Sequence, residues 1–449
     1  MSFNKNNIYK ITFFFLISIS FFLGYFLREN TSGGGAEFNE LSWPIIQSFK
    51  EDFIFTIKNY GKFRDYTIPF SHIINAYLNP FSNNIESFQF FNSCISYGII
   101  FIFASVIKKY FLKLDFIDVL LTSSTLMLLP FFRTTAFWGK NENYGWLFFI
   151  LAIYFFNEIR KSLPQKVITN KDIYNVIIFC FMSSCALYAR QALAFLPLSY
   201  LVYLFLYNAN KKIIIVSIVS FLIFSIPSWF LILIWGNVFD TRGLGEGAFF
   251  GWWININHIL KNMPIFLSYF GFYLLPVLII EFFQTNYKNF LDRYLKSFIF
   301  SLIFFLILSK INILGYLGEY TISGGAILKI NYLIQKNNYF FLLLFSALGF
   351  SILVRLFIED KKNNFIFLIP VIIIYTLPNL LYQEYFEPFI LILFFSVLKT
   401  DLHKVFFKNI SFSNLVILSY FAIYLIGSIY FKHYAFSTYE EWLMFLGAK

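Results

Sequence analysis

The stretch YKITFFFLISISFFLGYFL, residues 9–27, closed by Arg28-Glu29 and followed by Ser32-Gly33-Gly34-Gly35, decides the fold. A helix needs about 20 predominantly apolar residues to cross the hydrocarbon core of a bilayer. This run carries a single charge, Lys10, near its start. Lys5 and Lys10 give it the basic flank of a signal peptide, but no small-residue cleavage site follows. It therefore reads as a retained first helix or an uncleaved signal anchor. Apolar runs recur outward from it, at 88–107, 116–132, 145–159, 173–188, 191–207, 213–235, 263–283, 297–309, 339–358, 365–378, 380–398 and 412–431. Some are short for a crossing, and together they predict about twelve spans.

The loops between the runs are of two kinds. Those at 108–115, 160–172, 208–212, 284–297, 359–364 and 399–408 are short and basic; those at 28–87, 133–144, 236–262, 310–338 and 378–387 carry Glu, Asp, Trp, Tyr, Gly and Pro. The two kinds alternate, and the positive-inside rule assigns the basic set to the cytoplasm. The residues able to do chemistry then share the extracytoplasmic face. The largest segment outside the spans is 28–87. Its glycine run breaks the helix and lets backbone lie close to a neighbour. An amphipathic stretch begins at Glu37, and a short helix over 70–79 ends at Pro80. The segment reads as a folded extracytoplasmic loop within a single transmembrane domain, 1–449.

Composition sets the class independently. The chain is 59% hydrophobic and 13% charged, about half the charge of a soluble domain, so it cannot cover a water-facing surface. The fold class is all-α, a polytopic helical membrane protein. The net charge of +11 is dispersed among the basic loops, where it sets topology and predicts no nucleic-acid partner. Cys94, Cys180 and Cys185 fall within or at the ends of apolar runs, as buried thiols, and the four histidines are scattered singly. No metal site and no cofactor is predicted from them.

Several constellations on the predicted extracytoplasmic face carry chemistry. Glu37 and Glu40 are three apart, on one face of a helix, and suit a general base; the plain alternative is the preference for Glu at a helix N-terminus. Asp65, beside Arg64, is a further candidate base or half of a structural pair. In Phe137-Trp138-Gly139-Lys140-Asn141-Glu142, Lys140 is a candidate phosphate contact and Glu142 a candidate substrate carboxylate, or the stretch is an ordinary turn. Arg190-Gln191 interrupts apolar sequence, where a charge either serves a site or snorkels to the interface. An arginine there can hold a lipid phosphate with both arms of its guanidinium. Tyr382, Glu384 and Glu387 open another apolar run, to bind sugar hydroxyls or to pair with a basic residue. The glycine-punctuated stretches 240–247 and 315–320, with Trp252 and Trp253, are candidate walls of a polar groove.

Three of these stretches resemble one family. Ala36-Glu37 stands where that family has an acidic pair after its first span. Tyr188-Ala189-Arg190-Gln191 resembles its Phe-Arg-Gln-Thr-Asn motif, with Ala192-Leu193 in place of Thr-Asn. Leu380-Leu381-Tyr382-Gln383-Glu384-Tyr385-Phe386-Glu387-Pro388-Phe389 resembles its Leu-Leu-Glu-Phe-Arg-Tyr-Phe-Ile-Leu-Pro, with Glu384 at the arginine. The family is the dolichyl-phosphate-glucose α-1,2-glucosyltransferases, within the GT-C superfamily of polytopic glycosyltransferases. The resemblance implies a GT-C-like fold and an inverting hexosyl transfer from a polyprenyl-phosphate donor to a glycan or lipid-linked acceptor. It implies Glu37, Glu40 or Asp65 as base, Arg190 and Lys140 on the donor phosphate, and Gln191, Glu142, Glu384 and Tyr382 on substrate. A Phe-, Ile-, Asn- and Lys-heavy composition fits an AT-rich genome, hence a bacterial plasma (inner) membrane. A transporter or flippase for lipid-linked glycans would show two similar halves, and an O-antigen-type polymerase would place its largest outer loop late in the chain. Neither pattern is evident here.

Overall fold

The computed structural model describes residues 5–31, 33–63, 65, 67–163, 168–236, 257–310, 325–327, 330, 340–378 and 381–434. Among the described residues the regular elements are all helical, with no strand. Among the described residues seven helices are long and apolar enough to cross a membrane: Asn7–Phe26, Ile85–Tyr110, Asn170–Ala189, Lys211–Trp235, Lys261–Gln284, Phe340–Glu359 and Ile410–His433. Phe116–Leu128 and Pro130–Trp138 make an eighth if counted as one span, bent by 77°. Pro130 causes that break, because it has no N–H to give and its ring displaces the carbonyl four residues back. These helices are consistent with an integral membrane protein.

Other apolar runs fold differently from a simple crossing. Of the 365–378 run, residues 365–376 lie in a 16-residue helix, Lys361–Thr376. The described residues of the 380–398 run, 381–398, form the 8-residue helix Phe389–Ser396 after a short turn over Gln383–Tyr385. The 297–309 run is part of Tyr287–Lys310, so much of the basic loop 284–297 is itself helical. Of the cysteines, Cys180 and Cys185 are buried, but Cys94 is exposed. It lies on a side of the half-buried Ile85–Tyr110 helix that the chain does not cover, contrary to the sequence expectation.

The chain divides into two compact units, Met1–Met127 with Phe131–Phe249, and Leu128–Pro130 with Phe250–Lys449. In the first, the 28–87 segment folds as a run of short helices around Phe38, Ile45, Ile46, Phe49, Ile57 and Tyr60. Removing each such side chain from water is worth roughly 1.5–3 kcal/mol, which keeps the segment folded instead of trailing. Trp235 completes this core, stacking on Tyr60 and donating its indole N–H to Ile57 O at 2.8 Å. Gly34–Glu37 runs through a π turn, Phe38–Ser42, into the Trp43–Glu51 helix. Pro44 would clash with the Glu40 carbonyl in a regular helix, and the wider turn relieves that conflict.

In the second unit the Asn257–Gln284 and Phe340–Glu359 helices cross in backbone contact. A Cβ on Gly349 would stand 1.9 Å from Leu267 O, and one on Gly271 2.3 Å from Phe345 O. Small residues at a crossing are what let membrane helices approach so closely.

Candidate functional site

The first unit's site is built on residues 133–145. Expected as a loop over 133–144, it is instead the buried end of the Pro130–Trp138 helix, a turn, and the start of the Glu142–Ser162 helix. The turn needs Gly139, whose φ is +60° and where a Cβ would meet the Phe88 ring at 2.6 Å. Four polar side chains along the segment each take partners from another stretch of chain.

Arg133 comes first. Its guanidinium holds the Glu29 carboxylate through Nε at 2.9 and 3.0 Å and Nη2 at 2.6 Å. Both residues are buried, and Gly24 makes the space: a Cβ there would lie 2.1 Å from Arg133 Nη2.

Lys140 follows, with Nζ 2.7 Å from Glu37 Oε2. The glycine run brings them together. A Cβ on Gly34 would stand 2.6 Å from Thr134 and 3.3 Å from the Lys140 stem, and one on Gly35 3.1 Å from the Trp138 ring.

Asn141 is gripped by the 65–72 turn. Its side-chain amide donates to Thr67 Oγ1 at 3.3 Å and lies 3.3 Å from His72 Nε2, while Ser71 Oγ donates to its carbonyl at 3.3 Å. His72 Nε2 in turn reaches Asp65 Oδ2 at 2.7 Å, and Asp65 Oδ1 accepts the Thr67 N–H at 2.8 Å. Burial pushes the Asp65 carboxyl up, but the hydrogen bond and charge of His72, with Thr67, outweigh it and hold the group below its ordinary range.

A carboxyl held low stabilises the fold above the ordinary value near 4, and that contribution is lost as pH falls through the lower folded value. Acidification below about pH 4 is therefore expected to loosen the turn, read as faster amide exchange over residues 67–77. Asp65→Asn should exchange quickly already at neutral pH and lose the response to acid. Equal exchange in the two proteins at neutral pH would remove the pair as the turn's anchor.

Glu142 is last, 3.3 Å from Arg190 Nη1. Arg190 ends the Asn170–Ala189 helix in an extended conformation, with its guanidinium 4.9 Å from the Trp146 ring centroid. Gly145, one turn into the Glu142–Ser162 helix, gives Arg190 room: a Cβ there would be 3.2 Å from Arg190 Cβ. Gln191, partly buried, opens the short turn Gln191–Ala194 directly afterwards.

An apolar cavity of about 280 Å³ adjoins this arrangement, lined in part by Ile68, Pro69, Phe70, Cys185, Tyr188 and Phe224. Pro69 and Phe70 belong to the turn that grips Asn141, and Tyr188 precedes Arg190 by two residues.

The structure thus gathers Glu37, Asp65, Lys140, Glu142 and Arg190 along one segment. Glu40 is exposed on the π turn. Tyr382 and Glu384 are half-buried in the second unit, whereas their neighbours Gln383 and Glu387 are buried. Glu387 accepts from Tyr273 at 2.6 Å and Tyr424 at 3.1 Å, and Gln383 accepts the Ala326 N–H at 2.6 Å. Arg64, residues 240–247, Trp252, Trp253 and residues 315–320 lie outside the described residues. Sequence reasoning missed Glu29, Arg133 and His72. Arg133 did carry a signal, a charge inside LLPFFRTTAFW, which requires a buried partner. Among the described residues no group of three or more His, Cys, Asp or Glu is placed to hold a metal ion. No family model matches the chain, and no curated protein or solved structure matches it.

Proposed function

We propose that the protein is a GT-C-like glycosyltransferase of about twelve spans, moving a hexose from a polyprenyl-phosphate donor to a glycan or lipid-linked acceptor. Its site would face the extracytoplasmic side of a bacterial plasma membrane. The observation that carries this reading is the pairing of a half-exposed carboxylate, Glu37, with a buried cation, Lys140, just after the first apolar helix. Arg190 is joined to the same segment, and an apolar cavity is lined by Pro69 and Phe70 of the turn that grips Asn141.

Glu37 is the base this geometry favours. Its side chain is 47% exposed, so an acceptor hydroxyl can reach it. Asp65 is buried with both oxygens engaged. In the reaction the acceptor oxygen bonds the anomeric carbon from the face opposite the phosphate and its proton passes to Glu37. The bond from the anomeric carbon to the phosphate oxygen breaks, and polyprenyl phosphate leaves with the electron pair. Lys140 and Arg190 stabilise the charge growing on that phosphate, and the apolar cavity takes part of the isoprenoid chain. Gln191 and Glu142 are proposed to contact substrate; for Tyr382 and Glu384, in the second unit, that role is carried by the resemblance alone.

The test is transfer from radiolabelled polyprenyl-phosphate hexoses by the purified chain in detergent. Wild type should transfer, and Glu37→Gln should lower the rate by about 10²-fold or more, the usual contribution of a positioned base. Transfer unaffected by Glu37→Gln would move the base elsewhere. No transfer from any donor, together with lipid-linked glycan movement in liposomes, would replace the enzyme by a flippase.

A further inference from the structure

Two kinds of ion pair sit on the 133–145 segment. Arg133 and Glu29 are buried together, at 2% and 8% side-chain exposure, as a permanent structural pair should be. Lys140 and Arg190 differ. They are buried at 4% and 7%, yet their carboxylates Glu37 and Glu142 are 47% and 18% exposed. A buried cation needs an anion beside it, but nothing requires that anion to be covered itself. An anion standing at the open side of a buried cation is a displaceable cap.

The position suits a phosphate. Lys140 and Glu142 flank Asn141 at the start of the 21-residue Glu142–Ser162 helix, where the peptide dipole favours negative charge. Lys140 lies in the turn just before that end, paired with Glu37, and Arg190 packs against its first turn across Gly145, paired with Glu142.

We propose that Glu37 and Glu142 occupy a phosphate site in the resting protein and that the donor's lipid phosphate displaces them. The inference rests on the transferase reading and adds a sequence of events to it. Phosphate takes Lys140 and Arg190, and Glu37 turns to solvent, free to accept the acceptor's proton. The base is unmasked only when a donor is in place, which protects the site from idle chemistry. Each cation keeps an anionic partner throughout, and Glu37 loses little on release because water reaches it.

The prediction runs opposite to a simple contact. Glu37→Gln and Glu142→Gln should each bind undecaprenyl phosphate about three- to fivefold more tightly than wild type, because the competing carboxylate is gone. Lys140→Gln should bind it more weakly. Glu51→Gln, an exposed acid on the same loop, should leave binding unchanged and so excludes a general charge effect. A second readout uses stability. Undecaprenyl phosphate should raise the thermal midpoint of Glu37→Gln more than that of wild type, by restoring an anion to Lys140.

Wild-type binding with no tightening in either glutamine variant would overturn the exchange and leave the transferase reading in place. Tightening shared by Glu51→Gln would overturn it as well. Tightening for inorganic phosphate but not for the lipid would overturn the lipid assignment. No binding of undecaprenyl phosphate to wild type would remove the transferase reading itself, and the exchange with it.

Discussion

Arg133→Met is expected to destabilise the protein by about 3–5 kcal/mol, the usual consequence of stranding one member of a buried ion pair. Glu29 would be left at 8% side-chain exposure without its cation. Arg133 also donates to Met127 O at 3.1 Å and to Ser20 O at 2.8 Å, and the Trp138 indole donates to Glu29 O at 3.1 Å. The pair therefore ties the end of the first helix to the segment that carries Lys140 and Glu142. Replacing both members, as Glu29→Leu with Arg133→Met, should recover much of the loss, because the desolvated charge goes with its partner. The measurement is reversible unfolding in mixed micelles across the four proteins of the cycle. Single variants within about 1 kcal/mol of wild type would reduce the pair to a minor contact.

What could be read from the sequence follows the range of each signal. The helical class was legible because it depends on composition and on run length alone. The glycine run at 33–35 was legible as a close approach, since a missing Cβ has few other uses; the surfaces it approaches, Thr134 and Trp138, were not. Arg190, Lys140 and Glu142 stood out as charges beside apolar sequence. Their partners did not, because an ion pair between residues 29 and 133, or 142 and 190, leaves no local mark.

Arg133 was assigned to a loop for the same reason: without Glu29 in view, a charge looks like an end to the membrane. Asp65 read as a base or as the partner of Arg64, and His72 as a histidine standing alone. Only the turn between them makes a pair. In the second unit the sequence named Tyr382, Glu384 and Glu387 but not which of them turn inward: Gln383 and Glu387 are buried, while Tyr382 and Glu384 stay half-buried. A short turn in place of a regular helix changes which side chains point inward. Hydropathy alone also ran through Pro130 and Pro388, where the helices are interrupted.

The second unit holds the other large prediction. Glu281 is fully buried and serves three partners: Arg293 Nη1 at 2.7 Å, Tyr294 Oη at 2.6 Å and Arg355 Nη1. Arg355 also donates through Nε to Glu359 Oε1 at 2.7 Å, and Glu359 accepts the Asp401 N–H at 3.0 Å. One carboxylate thus joins the end of the Asn257–Gln284 helix to the Tyr287–Lys310 and Phe340–Glu359 helices. Glu281→Gln keeps the volume but removes the charge, leaving Arg355 at 6% exposure with Glu359 as its remaining carboxylate among these contacts. A destabilisation of about 3–5 kcal/mol is expected.

The two arginines should not be equivalent. Arg293 is 46% exposed, so Arg293→Gln should cost no more than about 1 kcal/mol, the range of surface pairs. Arg355→Gln strands Glu281 inside the unit and should approach the full effect. Unfolding of the three variants in the same micelles decides the matter. Equal losses for Arg293→Gln and Arg355→Gln would mean that burial does not set the strength of this cluster. A large loss confined to Glu281 and Arg355 would identify their pair as the joint that holds the three helices together.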